Sequence, residues 1–368
     1  MQALTKTLSL LLLIAVGFLL QKRIKTKESR SGIKEVILTV ALPAMIFIAI
    51  QKIELKIDIL IIPVLVLIFN FTMFYVTDLI VVWCGFEKKT ALHRTTKMLF
   101  PSLAPGLSCF PFLIEFLGEK ALANAALADI GNKIFVLIVL YFFGINWFLK
   151  KYRGEKQKTL GEGNMKSLLM AMLYEPINIV VVIGVLMLSF GVNYDLFPAF
   201  LRTGIDRLGL IMAPLVLLFI GMSFRFNWSQ IKAIFSILSF KSGCAFLFSG
   251  ILIWVFNITD PIMVTLAIVF PQSSFSFWPF AHMSTITKME RNSGTSVFDL
   301  DLAMNMIAIS LPFSSIVIMG ICSLSDQIIK IEQFPFLAGA FFFTLPLLHN
   351  YVKYLYKKIT YNFKLEES

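Results

Sequence analysis

Phe100-Pro101-Ser102-Leu103-Ala104-Pro105-Gly106-Leu107-Ser108-Cys109-Phe110-Pro111-Phe112 and Phe270-Pro271-Gln272-Ser273-Ser274-Phe275-Ser276-Phe277-Trp278-Pro279-Phe280 are the two stretches that decide how this chain folds. Each interrupts a long apolar run with prolines. A proline removes a backbone donor and clashes with the preceding turn, so Pro101, Pro105 and Pro111 together break a helix instead of bending it. Pro271 and Pro279 do the same, with Gln272, Ser273, Ser274 and Ser276 between them. In hydrocarbon each freed backbone group costs several kcal/mol unless partnered, so broken backbone survives only against protein or a wet cavity. The half-helix that follows such a break turns amide N–H groups and a positive dipole end toward the cavity, a setting for an anion.

The surrounding composition shows that the solvent is a bilayer. Of 368 residues, 58% are hydrophobic and 15% charged, with mean hydropathy +0.81. Soluble domains carry about 25% charged residues. This excludes a water-soluble enzyme, a disordered chain and a nucleic-acid-binding domain, despite a net charge of +11. Apolar windows predict an all-α polytopic membrane protein with spans at 4–20, 33–50, 57–84, 98–117, 121–149, 172–190, 204–224, 233–256, 261–286, 297–322 and 334–356. The first lacks an A-x-A-like cleavage site and has its basic cluster after it, so it reads as a span and not a signal peptide. With the N-terminus outside, 24 of the 33 Lys and Arg fall in inside segments and 7 in outside ones. The positive-inside rule then puts the C-terminus in the cytoplasm of a plasma (inner) membrane. Cys84, Cys109, Cys244 and Cys322 show no metal-ligand spacing and read as small buried hydrophobes.

The two broken stretches also reveal a repeat. Ala41-Leu42-Pro43-Ala44-Met45-Ile46-Phe47 resembles Met212-Ala213-Pro214-Leu215-Val216-Leu217-Leu218, and Pro43 precedes Pro101 by 58 residues where Pro214 precedes Pro271 by 57. Asn132 and Asn305 keep nearly the same offset. Five spans per copy is odd, so the second copy enters from the opposite side, the 5+5 inverted-repeat arrangement of many secondary transporters. The expected organisation is 1–166 for the first five spans, 167–322 for the second five, and 323–368 for an eleventh span with a basic tail. The fourth and ninth spans are the broken ones.

Several polar groups are candidates for the chemistry. Ser102, Pro105, Gly106, Ser108, Pro271, Gln272, Ser273, Ser274, Ser276 and Asn305 are expected to line a substrate site at the breaks. Lys133 lies seventeen residues before Lys150, about 25 Å of helix, beyond snorkelling range. Asp129 is one turn earlier and Asn132 adjacent, so the group reads either as a buried pair that cancels itself or as a coupling site, with Lys133 attracting a carboxylate and Asp129 exchanging a proton. His282 follows the second break and titrates near neutrality when unperturbed. Glu115, Glu175, Asp299 and Asp301 read as interfacial or helix-start anions. No HExxH, GxSxG, GxGxxG or P-loop is present, and His93, His282 and His349 form no metal pattern.

The residues at these positions resemble the auxin efflux carrier family, within the superfamily that contains the bile-acid:sodium symporters. The resemblance covers about residues 5–322. It rests on Gly17-Phe18-Leu19-Leu20 before a basic loop, Leu42-Pro43-Ala44-Met45-Ile46-Phe47, and Pro111 leading to Gly118-Glu119-Lys120-Ala121-Leu122. Pro176 to Gly184, Pro214 to Gly221-Met222-Ser223, and Pro271-Gln272 complete it. It implies a ten-helix inverted repeat, helices four and nine crossing at Pro101 or Pro105 and at Pro271, and elevator-like movement of small organic anions such as auxin or dicarboxylates, with Gln272 beside the substrate. The chain departs in lacking an asparagine in the fourth-span break, in opening the sixth span with Glu175-Pro176 where Asn-Pro is usual, and in its added span. The expectation is therefore a secondary carrier of a small organic anion, not an enzyme. It needs no cofactor, is coupled to protons or Na⁺, contacts lipid but no nucleic acid, and forms a homodimer. A sodium-coupled symporter is the alternative within transport. A membrane-embedded acyltransferase, which would use His93, is the alternative outside it.

Overall fold

The structure is a computed structural model that describes residues 2–51, 61–83, 87–151, 176–192, 194–223, 228–290, 296–328 and 331–346. Among them every regular element is helical. The helices are α1 (Gln2–Leu20), α2 (Glu28–Gln51), α3 (Ile61–Trp83), α4 (Ala91–Leu99), α5 (Phe110–Leu117), α6 (Glu119–Lys151), α7 (Pro176–Ser189), α8 (Ala199–Ser223), α9 (Trp228–Val255), α10 (Pro261–Gln272), α11 (Trp278–Met289), α12 (Leu300–Ser323) and α13 (Phe334–Pro346). Six of them, α2, α3, α6, α8, α9 and α12, are long and apolar enough to cross a membrane, so the protein is an integral membrane protein. Cys84, Glu175, most of the basic stretch at 150–166 and the tail from 347 lie outside the described residues.

Burial follows helical periodicity. On α3, Val64, Ile68, Tyr75, Leu79 and Val82 are exposed, whereas Phe69, Asn70, Met73, Phe74, Thr77 and Val81 on the opposite face are buried. An apolar exposed stripe at helical spacing is a lipid-facing surface. Inside, α1 packs along α8, α7 and α8 pack on α2, α3 packs along α6, and α9 packs on α10 and α12.

Prolines shape the bends. Pro43 follows a π-helical turn at Ile37–Ala41 in α2, and Pro214 follows a kink at Ile211 in α8. A proline leaves the carbonyl four residues back without a donor, so the turn before it is where the helix yields. The fourth predicted span divides into α4 and α5 around residues 100–109, and the ninth into α10 and α11 around 273–277. Gly118, at φ 81, then turns the chain from α5 directly into α6, a conformation only glycine adopts without strain.

One boundary is corrected. The segment 85–97 is too polar for a hydropathy window and reads as a loop, yet α4 begins at Ala91 and buries Thr95, Thr96 and Lys97. The polar atoms of Lys97 and Thr95 are met by protein: Asp78 of α3 accepts from Lys97 Nζ at 2.5 Å and binds His93 Nε2 at 2.8 Å, and Thr95 Oγ1 accepts from Asp299 N–H at 2.9 Å, while the Thr96 hydroxyl is buried without a hydrogen-bond partner. Partners supplied by other helices, invisible to hydropathy, make this half-helix burial feasible.

Candidate functional site

The two non-helical stretches cross and are laced together. Ala104 N–H donates to the Ser274 carbonyl at 2.8 Å, Ser274 N–H to Ser108 Oγ at 2.9 Å, and Ser276 N–H to Ser102 Oγ at 3.1 Å. Side chains from neighbouring helices complete the pairing. Asn132 of α6 meets both polar groups of Leu103, accepting its N–H at 3.2 Å and donating to its carbonyl at 2.9 Å. Ser310 Oγ of α12 accepts Phe275 N–H at 3.1 Å. Ser102 N–H and Ser273 N–H close short turns onto Leu99 and Phe270 at 2.9 and 3.1 Å. Every backbone N–H of residues 102–104 and 273–276 therefore has an acceptor, which is what keeps unwound chain tolerable away from water.

This pairing alters one expectation. The amides of residues 102–104 and 273–276 do not point unpaired into a cavity; the protein has already used them. The charged groups beside the crossing are side chains. Lys133 Nζ lies 3.2 Å from Asp129 Oδ2 and donates to Asn178 Oδ1 of α7 at 3.2 Å. Asp129 Oδ1 accepts from Asn132 Nδ2 at 2.8 Å, and Asn132 Oδ1 also accepts from Asn70 Nδ2 of α3 at 3.2 Å. Asp129, Asn132 and Lys133 are 4%, 2% and 5% exposed. One connected network thus runs from α7 through the ion pair to the backbone of the first break. Gly131 lets α6 sit this close to α3, since a Cβ there would lie 2.0 Å from the Pro63 carbonyl oxygen.

A cavity of about 730 Å³ opens on this network. Of the sequence-predicted site residues, Pro105, Gly106, Asp129, Asn132, Lys133, Ser274, Ser276 and Asn305 line it. Ser102, Ser108, Pro271, Gln272, Ser273 and His282 do not. Ser102 and Ser108 fasten the crossing from behind, Gln272 Nε2 donates to the Ser242 carbonyl at 3.2 Å, and Ser273 Oγ donates to the Phe270 carbonyl at 2.7 Å. His282 is 5% exposed, with Nε2 on the Val136 carbonyl at 3.1 Å and its ring edge-on to Tyr141 at 5.4 Å. Both members of the Asp129–Lys133 pair face the central cavity, not a helix end.

Two cavity cations, and the carboxylate Glu35 beside them, escaped the sequence reading. The predicted span begins at residue 33, but α2 begins at Glu28 and places Arg30, Lys34 and Leu38, spaced by four, on the cavity face. Lys34 Nζ stands 4.5 Å above the Phe277 ring, and Arg30 ties the Ile24 and Lys25 carbonyls at 3.0 and 3.1 Å. The four-residue spacing was the available signal. The rest of the wall is largely apolar, with Phe219, Phe275, Phe277 and Trp278 contributing.

Other polar clusters are structural. Asp299 caps α12, accepting Leu302 N–H at 2.9 Å, as a helix-start anion should. It and Asp301 border an open hollow of about 840 Å³ with Arg94 and Lys151, away from the crossing. His93 has both ring nitrogens engaged: Nδ1 accepts from Lys89 N–H at 3.3 Å and Nε2 meets Asp78. Neither nitrogen is available as a general base. No group of three His, Cys, Asp or Glu that could hold a metal occurs among the described residues.

Comparison with known proteins adds one point. No protein-family model matches the chain. A stretch of 137 residues is 24% identical to a protein of Methanocaldococcus jannaschii named an uncharacterized transporter, and the match covers 35% of this chain and 40% of that relative. The chain is similar to a transporter over that portion.

Proposed function

We propose that this protein is a secondary active carrier of a small organic anion, binding it in the cavity at the crossing of the α4/α5 and α10/α11 breaks. The observation that carries the reading is the crossing itself, laced by three interchain-segment hydrogen bonds and opening on a buried Lys133–Asp129 pair. Intramembrane charges that face a cavity mark substrate or ion pathways by default, because their desolvation must be offset by a function or a partner. Lys133 and Lys34 supply the positive charge for a carboxylate, and the apolar wall takes the remainder of the molecule. The similarity to a protein named a transporter points the same way.

The finer architecture belongs to the same proposal. Spans one to five and six to ten form the 5+5 inverted repeat of the auxin efflux carrier family, with α13 belonging to an eleventh span and domain boundaries at 166 and 322. Three matches support it: a proline after a distorted turn in α2 and in α8, a break in α4/α5 and in α10/α11, and buried polar residues Asn70 and Lys241, 171 positions apart, each facing its own break. The helices α1, α2, α7 and α8 would form the scaffold against which the crossing moves. The N-terminus is outside, the C-terminus inside the plasma (inner) membrane, and the working unit a homodimer.

The test is flux. Purified protein in liposomes should accumulate a labelled mono- or dicarboxylate under a pH or Na⁺ gradient. Absence of flux across such a panel, under every gradient, refutes the proposal.

A further inference from the structure

We propose that the Lys241 ammonium is a resident cation at the second break, standing where a coupling metal ion would otherwise sit, so that the carrier runs without a Na⁺ gradient. This deepens the transport reading and rests on it. Lys241 is 3% exposed, with 13 residues of α9 before it and 14 after it. At 1.5 Å per residue each arm is about 20 Å long, far beyond the reach of a snorkelling lysine. Its Nζ donates to the carbonyl of Ser273, the first residue beyond the end of α10, and stands 5.2 Å from the Phe275 ring centroid.

The surroundings of this ammonium are those of a hard cation. Carbonyl oxygen is the ligand chemistry of such ions, the carbonyl end of a helix is the negative end of its dipole, and an aromatic face adds to the attraction. No carboxylate among the described residues forms an ion pair with Lys241. Two more buried oxygens of the same helix pair, Gln272 Oε1 and Ser239 Oγ, have no hydrogen-bond partner. The matching place at the first break is Asn70, a neutral amide donating to Asn132 Oδ1 at 3.2 Å. The cation there, Lys133, has its own carboxylate at 3.2 Å. The second break therefore holds a cation met by a backbone carbonyl and a ring, with no carboxylate among the described residues. A second cation within a side chain's length would be repelled strongly in this interior, which excludes Na⁺ while the lysine stays.

The experiment compares thermal melting of the purified full-length protein in sodium chloride and in choline chloride at equal ionic strength. Wild type and Lys241→Arg should melt alike in both salts. Lys241→Met vacates the Ser273 carbonyl, so it should be less stable in choline and recover in Na⁺. At a Na⁺ concentration tenfold above its Kd, the folded-to-unfolded ratio should rise about elevenfold. A wild type stabilised by Na⁺, or a folded Lys241→Met indifferent to it, overturns the proposal. If Lys241→Met does not fold in either salt, the wild-type comparison decides by the same criterion. Melting requires no substrate, so failure of organic-anion flux and failure of this inference are read separately.

Discussion

Replacing Asn132 with leucine removes the one side chain that serves both polar groups of Leu103 while nearly preserving volume. Asn132 accepts Leu103 N–H at 3.2 Å, donates to the Leu103 carbonyl at 2.9 Å and to Asp129 at 2.8 Å, and is 2% exposed. Leucine leaves two backbone groups buried without partners, each at about 1–3 kcal/mol. The loss is therefore about 2–6 kcal/mol, before any weakening of the Asp129–Lys133 pair, against total stabilities of about 5–15 kcal/mol. Even 3 kcal/mol lowers the folded-to-unfolded ratio about a hundredfold, since each 1.4 kcal/mol is tenfold. The assay is thermal melting in detergent together with flux in liposomes. Asn132→Leu should melt well below wild type, and any protein that remains folded should bind substrate more weakly because the first break has loosened. A control, Ile183→Leu on an exposed face of α7, should behave as wild type. If Asn132→Leu melts and transports as the control does, the backbone of the first break is not held by this amide, and the account of the crossing fails.

Lys133→Met takes the cation from Asp129 and leaves it the Asn132 amide as partner, at about 3–5 kcal/mol, whereas the double change with Asp129→Asn should restore most of the stability without restoring anion affinity. Melting temperatures and KM measured on both variants separate the two effects. Ser108→Ala strips the acceptor from Ser274 N–H and should cost about 1–3 kcal/mol in melting, with KM changed far less than stability because Ser108 lies behind the cavity wall. Lys34→Met removes a cavity cation whose ring contact is worth about 0.5–2 kcal/mol, so it should raise KM for anionic substrates with little change in melting; an unchanged KM would remove Lys34 from the site.

The break at residues 100–109 was legible because proline chemistry is local: a missing donor and a ring clash act on the nearest turn whatever surrounds it. The same holds for the helical spans, where burying apolar side chains in hydrocarbon needs no particular partner. Asp129 and Lys133 were legible as an anomaly, since no helix can carry a charge to its middle without cost. The roles of Ser102 and Ser108 were not. Expected as substrate ligands, they accept amide hydrogens from a stretch 174 and 166 residues away, and nothing in their own neighbourhood announces that partner. The half-helix at Ala91–Leu99 was missed for a related reason, because Asp78, which accepts from Lys97, and Asp299, whose N–H donates to the Thr95 hydroxyl, come from distant parts of the chain.

What the sequence alone determined is the all-helical class, the immersion of the chain in a bilayer and the places where two of its apolar runs break, all of which follow from short-range sterics and transfer free energy. What only the tertiary structure decided is which groups remain available to a substrate. The amides of residues 103–104 and 274–276, a natural anion site on local grounds, are consumed by Asn132, Ser102, Ser108, Ser274 and Ser310, and the charged groups lining the cavity are Arg30, Lys34, Glu35, Asp129 and Lys133. Hydrogen bonding is saturable, so whether a donor is free depends on every neighbour the fold brings within 3 Å or so, and that is a property of the packed molecule.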